Sequence, residues 1–342
     1  MPRPLASLSL DLDNKWSYLK THGDPGWESF PSYLEVVVPR FLGVLEKLGL
    51  RITVFVVGQD AALDKNHAAL RAIPVAGHEI GNHSFHHEPW LHRYSLAEIE
   101  LELATAEDAI AAATGVRPTC FRGPGYSLSA DVLRVLVRRG YQFDASTFPT
   151  FLGPLARAYY FFTARLSREQ QVERKRLFGE WTEGFRPLRP YQWQVEGQKL
   201  LEIPVTTLPF ARVPIHVSYL LYLRQFSRAA AWAYWRLALG LCRATGIGPS
   251  LLLHPLDFLG GDDEPDLAFF PAMRMKGSEK TEFAASVLAE LARQFDVVPM
   301  SAHAQALSNR GRLAIRPLPP DSAKQVEIPR ATATEQSAAA GG

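Results

Sequence analysis

The chain has 342 residues, 47% of them apolar, enough to bury the core of one large domain or two small ones. Its 37 basic and 35 acidic residues nearly cancel, which argues against a single-sign field that would gather nucleic acid or an anionic membrane. Cys120 and Cys242 are too few for a disulfide framework and too isolated for a thiolate zinc site, so both read as reduced, packed thiols.

Met1-Pro2-Arg3-Pro4 leads straight into an apolar strand over Leu5–Leu10, too short and too soon charged for a secretory leader, so a cytoplasmic location is expected. The strand runs into Asp11-Leu12-Asp13-Asn14. Carboxylates at the end of a buried strand are costly unless they bind something, and of this pair one can hold a cation while the other handles a proton. Tyr33–Leu48 has a helical period and Ile52–Val57 is again strand-like. The next segment concentrates histidine: Gly77-His78-Glu79-Ile80-Gly81-Asn82-His83-Ser84-Phe85-His86-His87. His83 and His87 stand four apart, so a single helical turn would aim both at one ion, while His78 and His86 read as structural. With one carboxylate they make a two-histidine, one-aspartate set suited to zinc or another divalent first-row ion.

Ser95-Leu96-Ala97-Glu98 is a capping box opening a helix to about Thr114, ended by Gly115, and Ser129 and Gly140 bracket the following helix. Strands are expected near Gln142–Asp144, Leu200–Val205, Leu251–His254 and Val297–Met300, continuing a β/α rhythm that suits a parallel sheet, open or closed into a barrel. Residues 151–191, with Tyr159 to Phe162 and Arg174 to Arg176, interrupt that rhythm and read as an elaborated loop. Residues 218–242, rich in Leu, Tyr and Trp, read as an outer helix on the sheet, with a membrane-facing surface as the alternative. Arg236 breaks the longest apolar run, which argues against a membrane span. The α/β domain is placed at residues 1–307 and a disordered tail at 308–342.

Five short motifs occur in order: Ser9-Leu10-Asp11-Leu12-Asp13, His83-Ser84-Phe85-His86-His87, Arg122-Gly123-Pro124-Gly125-Tyr126, the stretch Tyr141–Ser146 around Asp144, and Leu252-Leu253-His254. In this order the chain resembles the polysaccharide deacetylase, or NodB-homology, family of carbohydrate esterases. The resemblance implies a distorted β/α barrel of about seven parallel strands. It also implies hydrolytic removal of an acyl group, acetyl in the first instance, from the nitrogen of an amino sugar that is free, nucleotide-linked or carried on a polyprenyl lipid. Carried over by motif position, Asp13, His83 and His87 hold one divalent metal ion, zinc by default, with cobalt, nickel, manganese or iron also compatible. Asp11 is then the general base, paired with Arg122, and His254 the general acid. Asp144 orients either His254 or Arg122, and Asp257, three residues after His254, is a further candidate partner for it or a turn former. The Pro124–Tyr126 loop lines the site, with the Tyr126 amide facing the oxyanion.

Two departures stand out. Asn14 occupies the place of the usual glycine after the metal-binding Asp, and Phe143-Asp144-Ala145-Ser146 lacks the Asp-Trp pair of many extracellular members. The competing readings are a deformylase or cyclic-amide hydrolase on the same fold, and a catalytically silent glycan-binding barrel. No nucleic-acid partner is expected, and peripheral contact with a membrane would follow from a lipid-linked substrate.

Overall fold

The computed structural model describes residues 3–152, 184–309, 311 and 313–319. Most of the loop expected at 151–191 therefore lies outside the described residues, as do residues 320–342 of the tail. The first strand, β1 (Leu5–Leu12), sits near the centre of the sheet, pairing in parallel with β2 (Thr53–Val56) on one side and β8 (Ser250–Leu253) on the other. From β2 the sheet continues through β3 (Glu79–Asn82), β4 (Cys120–Phe121), β5 (Phe143–Asp144) and β7 (Gln198–Glu202), all parallel. The run from β7 to β8 comprises the seven parallel strands that the family resemblance implies. Among the described residues no ladder closes the barrel, but the segment after β7 reaches β8 through the Thr206 amide, which donates to the Ser250 carbonyl at 2.9 Å. A short strand, β9 (Asp296–Val298), pairs with the start of β1.

The sequence pattern explains why β1 organises the molecule. Side chains alternate across a strand, so Leu8, Leu10 and Leu12 enter the apolar layer shared with Val37, Val38 and Phe41. Ser7, Ser9 and Asp11 alternate with them as a file of buried polar groups. A buried polar file must find partners: Ser7 Oγ lies 2.9 Å from His303 Nδ1, and Ser9 Oγ and Asp11 Oδ1 both meet Arg122. The outer layer includes α2 (Leu34–Leu48), α4 (His67–Val75), α5 (Leu96–Thr114) and α6 (Ala130–Arg138), numbered with α1 (Lys15–His22) and α3 (Gly58–Ala61). The capping box at Ser95 and Glu98 forms, and Gly115 takes the left-handed conformation at φ 77° that ends α5.

Two parts of the chain depart from the expected pattern. Tyr191–Val195 forms β6, antiparallel to β7 across a tight Glu196-Gly197 turn in which both residues have positive φ. Ile315–Pro317 then adds β10 alongside β6, so the sheet continues past residue 307, and these residues are not disordered tail. The Leu- and Trp-rich segment is two helices rather than one, α7 (Val217–Phe226) and α8 (Arg228–Thr245), because Ser227 is extended and caps the second by accepting from the Ala230 amide. Ala231, Trp235, Ala238, Leu239 and Cys242 form a helical stripe buried in the core. Among the described residues no helix is long and apolar enough to cross a membrane. The last two helices are α9 (Gly277–Gln294) and α10 (Met300–Asn309). Both cysteines are free and buried, and burial pushes both thiols up, Cys242 to about 12.

Candidate active site

The motifs converge because parallel strands all present the same end. Asp13 follows β1, His83 follows β3, Arg122 follows β4, and His254 follows β8 directly after Leu253, which pairs with Leu10. The ends of the strands thus gather groups more than a hundred residues apart in sequence.

Asp13, His83 and His87 come together. One ligand atom from each lies within 4.8 Å of the others, and Asp13 Oδ1 is 2.9 Å from His87 Nε2 and 3.4 Å from His83 Nε2. The expected helical turn is absent, however. Ser84 and His87 both have positive φ, 62° and 55°, so the segment is a looped hook that brings the two imidazoles together without α geometry. Glu102 on α5 pins the hook by accepting from the Phe85 and His86 amides and meeting His86 Nδ1 at 2.7 Å. His86 is structural, as the sequence reading has it.

The surroundings suit a cation. His83 Nδ1 lies 2.6 Å from the Arg122 carbonyl. A carbonyl only accepts, so Nδ1 carries the proton and Nε2 is left for a ligand, the arrangement that outer partners impose on metal-binding histidines. Burial pushes the Asp13 carboxyl up, but His87 and His83 overcome it and hold it well below the usual range. For His83, burial works against the charged form, yet Asp11 and Asp13 raise it overall. One carboxylate and two imidazoles packed this tightly form a donor set that suits a divalent ion.

Asn14 shows why the usual glycine is dispensable. Its backbone is extended at φ −107°, which needs no glycine. Its Oδ1 accepts from the Lys15 and Tyr33 amides, capping α1, and its Nδ2 donates to Ser32 and to Asp60 Oδ1. The Tyr33 hydroxyl donates at 2.6 Å to the Asp13 carbonyl and the Tyr18 hydroxyl at 3.2 Å to Asp13 Oδ2. The turn that presents Asp13 is thus tied from three sides. Asp60 itself is raised to about 7, chiefly by burial and against the bonds from Asn14 and Trp16.

Arg122 is fully buried and bound on several sides. Its Nη1 donates to Asp11 Oδ1 at 2.7 Å and Ser9 Oγ at 2.8 Å, its Nε donates to the Ala145 carbonyl at 3.0 Å, and the guanidinium lies 4.4 Å from the Phe55 ring centroid. The expected Asp11 and Arg122 pair is present.

Asp144 orients neither of its two expected targets. Ser146 Oγ donates to it at 2.6 Å and in turn accepts from the Gly123 amide at 2.8 Å, so Asp144 supports the Arg122–Tyr126 loop through a serine. It also lies beside Glu202, its register partner on β7. Glu202 is served by the Thr147 amide and hydroxyl and by the Trp193 indole, and is the better hydrogen-bonded member. Burial, then the Glu202 charge, push Asp144 well above the usual carboxyl range. The Tyr126 amide is also committed elsewhere: it donates at 2.9 Å to the Gly123 carbonyl within a 3-10 turn, Pro124–Tyr126. The amide that the resemblance turns toward an oxyanion is thus engaged within its own turn. The Tyr126 ring instead stacks on Phe148 at 4.6 Å, giving the loop an aromatic wall.

His254 Nδ1 lies 3.2 Å from Ser218 Oγ, and Ser218 Oγ donates at 2.7 Å to Asp257 Oδ1, while Asp257 Oδ2 accepts from the His254 amide. A second imidazole, His216, sits 5.8 Å from His254 centroid to centroid and 5.6 Å from Phe148. Burial, then His254 and Arg122, hold His216 well below its ordinary value. The sequence reading missed His216, Ser218 and Ser146. His216 directly follows an apolar Val213-Pro214-Ile215 run, a signal of the same kind as Leu252-Leu253-His254, whereas a lone serine in a Leu-rich helix carries none.

Residues 24–143 match the family model for polysaccharide deacetylase. The likeness to the polysaccharide deacetylase family is thus carried by residues 24–143. The matched stretch takes in His83, His87 and Arg122 but neither Asp11 and Asp13 nor His254. The peptidoglycan deacetylase of Helicobacter pylori is 28% identical over 149 residues, 42% of this chain and 49% of that protein, so the match spans about half the length of this curated relative. A Mycobacterium smegmatis protein assigned as a polysaccharide deacetylase is similar in fold over 96% of both chains, with a TM-score of 0.59 and 21% identity. A carbohydrate esterase family 4 pseudoenzyme from Bacillus anthracis is 14% identical with a TM-score of 0.43, covering 89% of this chain and 66% of its own.

Proposed function

We propose that this chain is a member of the polysaccharide deacetylase superfamily and a metal-dependent hydrolase that removes an N-acyl group, N-acetyl foremost, from an amino sugar. The observation that carries the reading is the convergence of Asp13, His83 and His87 donor atoms within 4.8 Å beside the buried Asp11 and Arg122 pair. These three side chains would hold the ion, which when bound supplies Lewis-acid polarisation and a water of lowered pKa.

The chain's own groups then divide the proton work. Asp11, fixed by Arg122, accepts the proton from the attacking water. His254 gives a proton to the departing nitrogen as the C–N bond breaks, a step an amide needs because its nitrogen is a poor leaving group. Tyr126 and Phe148 form an apolar wall that orients the acyl group or sugar ring and excludes water. A silent barrel would lack a base or a ligand, and this chain retains Asp11, Asp13, His83, His87 and His254.

The relative's peptidoglycan activity supports an acetylated glycan as substrate class. A lipid-linked form is favoured by Phe210 and Phe226, 80% and 75% exposed, which flank in sequence the segment carrying His216 and Ser218. The test is release of acetate or formate by purified protein, with and without chelator, from acetylated glycan oligomers, nucleotide-linked acetylhexosamines and polyprenyl-phosphate-linked acetylhexosamines. Chelator-sensitive acetate release from one of them supports the reading. Formate release alone would make it a deformylase, and release from none would overturn it.

A further inference from the structure

We infer that Ser218 and Asp257 are the positioning residues of His254, filling the part that the fourth motif's Asp144 does not fill in this chain. The inference rests on the proposed role of His254 as proton donor. Its basis is the directionality of three contacts. A hydroxyl has one hydrogen to give, and Ser218 Oγ stands 2.7 Å from Asp257 Oδ1 and 3.2 Å from His254 Nδ1. The carboxylate can only accept, so the serine proton goes to Asp257 and the facing imidazole nitrogen is the donor to Ser218. The turn also brings the Asp257 amide to the His254 side chain as a competing donor, and the tautomer measurement below decides between the two. His254 therefore carries its resting proton on Nδ1, leaving Nε2 as the nitrogen that exchanges a proton with substrate.

The anchor is rigid. Asp257 is 1% exposed, and its second oxygen accepts from the His254 backbone amide at 2.9 Å, so the same carboxylate fixes both the main chain and, through the serine, the ring. Ser218 sits in the first turn of α7, which packs against the Pro255–Asp257 turn, and it is held there by a helix rather than by a loop. Asp144 is engaged with Ser146 and Glu202 instead.

The charged groups around this relay are few. His216, from the segment leading into α7, faces His254, and Arg122 acts on His216. Lys280 on α9 faces Asp257, and burial brings it down to about 8 although Asp257, Asp263 and Asp262 oppose this. Burial raises Asp257, while His254, Ser218 and Lys280 pull it back. In the chemical step the Nε2 proton of the imidazolium passes to the amine nitrogen as the C–N bond breaks. The Ser218 hydroxyl and the Nδ1 proton stay where they are, so the relay orients the ring and stabilises its cationic form without transferring a proton itself.

The test is nuclear magnetic resonance of the His254 ring in chelated wild type, Ser218→Ala, Ser218→Thr and Asp257→Asn, together with kcat, KM and pH profiles on the substrate identified above. Neutral wild-type His254 should be the Nδ1–H tautomer. Ser218→Ala should mix the tautomers and lower kcat roughly 10-fold with KM nearly unchanged, and Ser218→Thr should restore both. Asp257→Asn should likewise mix the tautomers and lower kcat with KM nearly unchanged. If Asp257→Asn does not fold, Ser218→Ala carries the test alone. A wild-type Nε2–H tautomer, or a tautomer unchanged in the folded variants, would overturn the inference. The ring measurements need no turnover, so failure of the relay is distinguishable from failure of the proposed reaction.

Discussion

Replacing Arg122 by Met should expose how much of the site's framework hangs on one buried charge. Arg122 is 0% exposed and Asp11 5%, so deleting the guanidinium leaves a carboxylate in the interior with its partner gone, a change that costs about 3 to 5 kcal/mol. The bonds from Nη1 to Ser9 and from Nε to the Ala145 carbonyl are lost as well. These neutral losses recur whenever Arg122 is removed and cannot distinguish the ion pair from ordinary packing. A double-mutant cycle can. Asp11→Asn alone strands the positive charge and Arg122→Met alone strands the negative one, but Arg122→Met with Asp11→Asn strands neither. The double variant should therefore be more stable than the sum of the singles predicts, with a coupling of about 2 to 3 kcal/mol. The assay is urea unfolding at neutral pH on chelated protein, which keeps ion binding out of the balance. Additivity within about 0.5 kcal/mol would refute the claim that the pair acts as one buried unit.

Other expectations follow from the same packing. Gly81→Ala would place a methyl 2.5 Å from the Phe55 ring and 3.0 Å from Cys120 sulfur, so thermal unfolding should show a loss of about 1 to 3 kcal/mol. Ser95→Ala removes the N-cap of α5, and denaturant titration should find about 1 kcal/mol less stability. Asp60 has a folded pKa of about 7, above its unfolded value. The folded state thus binds the proton more tightly, and the carboxyl's contribution is favourable at acid pH and lost as pH rises toward 7. Relative to Asp60→Asn, wild type should lose stability between about pH 4 and about pH 7, and a difference that is flat or of opposite slope across that range would reject the buried-carboxyl reading.

Much of this architecture is legible in the sequence because its signals are local or strictly periodic. The capping box at Ser95, the glycine stop at Gly115 and the alternation of Ser7, Leu8, Ser9, Leu10 and Asp11 each follow from short-range sterics or burial. The five motif positions also fall at the strand ends as the parallel rhythm requires. What was hidden depends on contacts that sequence spacing does not encode. The four-residue spacing of His83 and His87 suggests a helix, but Ser84 and His87 adopt positive φ because Glu102, on another helix, collects the intervening amides. Motif position points Asp144 at His254 or Arg122, yet Ser146, two residues away, takes its one bonded oxygen, while Ser218 and Asp257 are the side chains beside His254. The β6 to β7 hairpin escaped notice because Gln192, Gln194, Gln198 and Lys199 leave its apolar alternation thin, although Glu196-Gly197 was a readable turn. The Tyr126 amide was expected to face an oxyanion, and the tightness of its own turn engages it first.

The account stands on a single ion held by Asp13, His83 and His87. Its most direct test is calorimetric titration of zinc into chelated wild type, Asp13→Ala and His87→Ala, with acetate release followed on the same samples. One ion per chain should bind wild type and restore activity, while both variants lose that binding and activity with it. Wild-type stoichiometry and affinity surviving in both variants would contradict the site and the mechanism built on it.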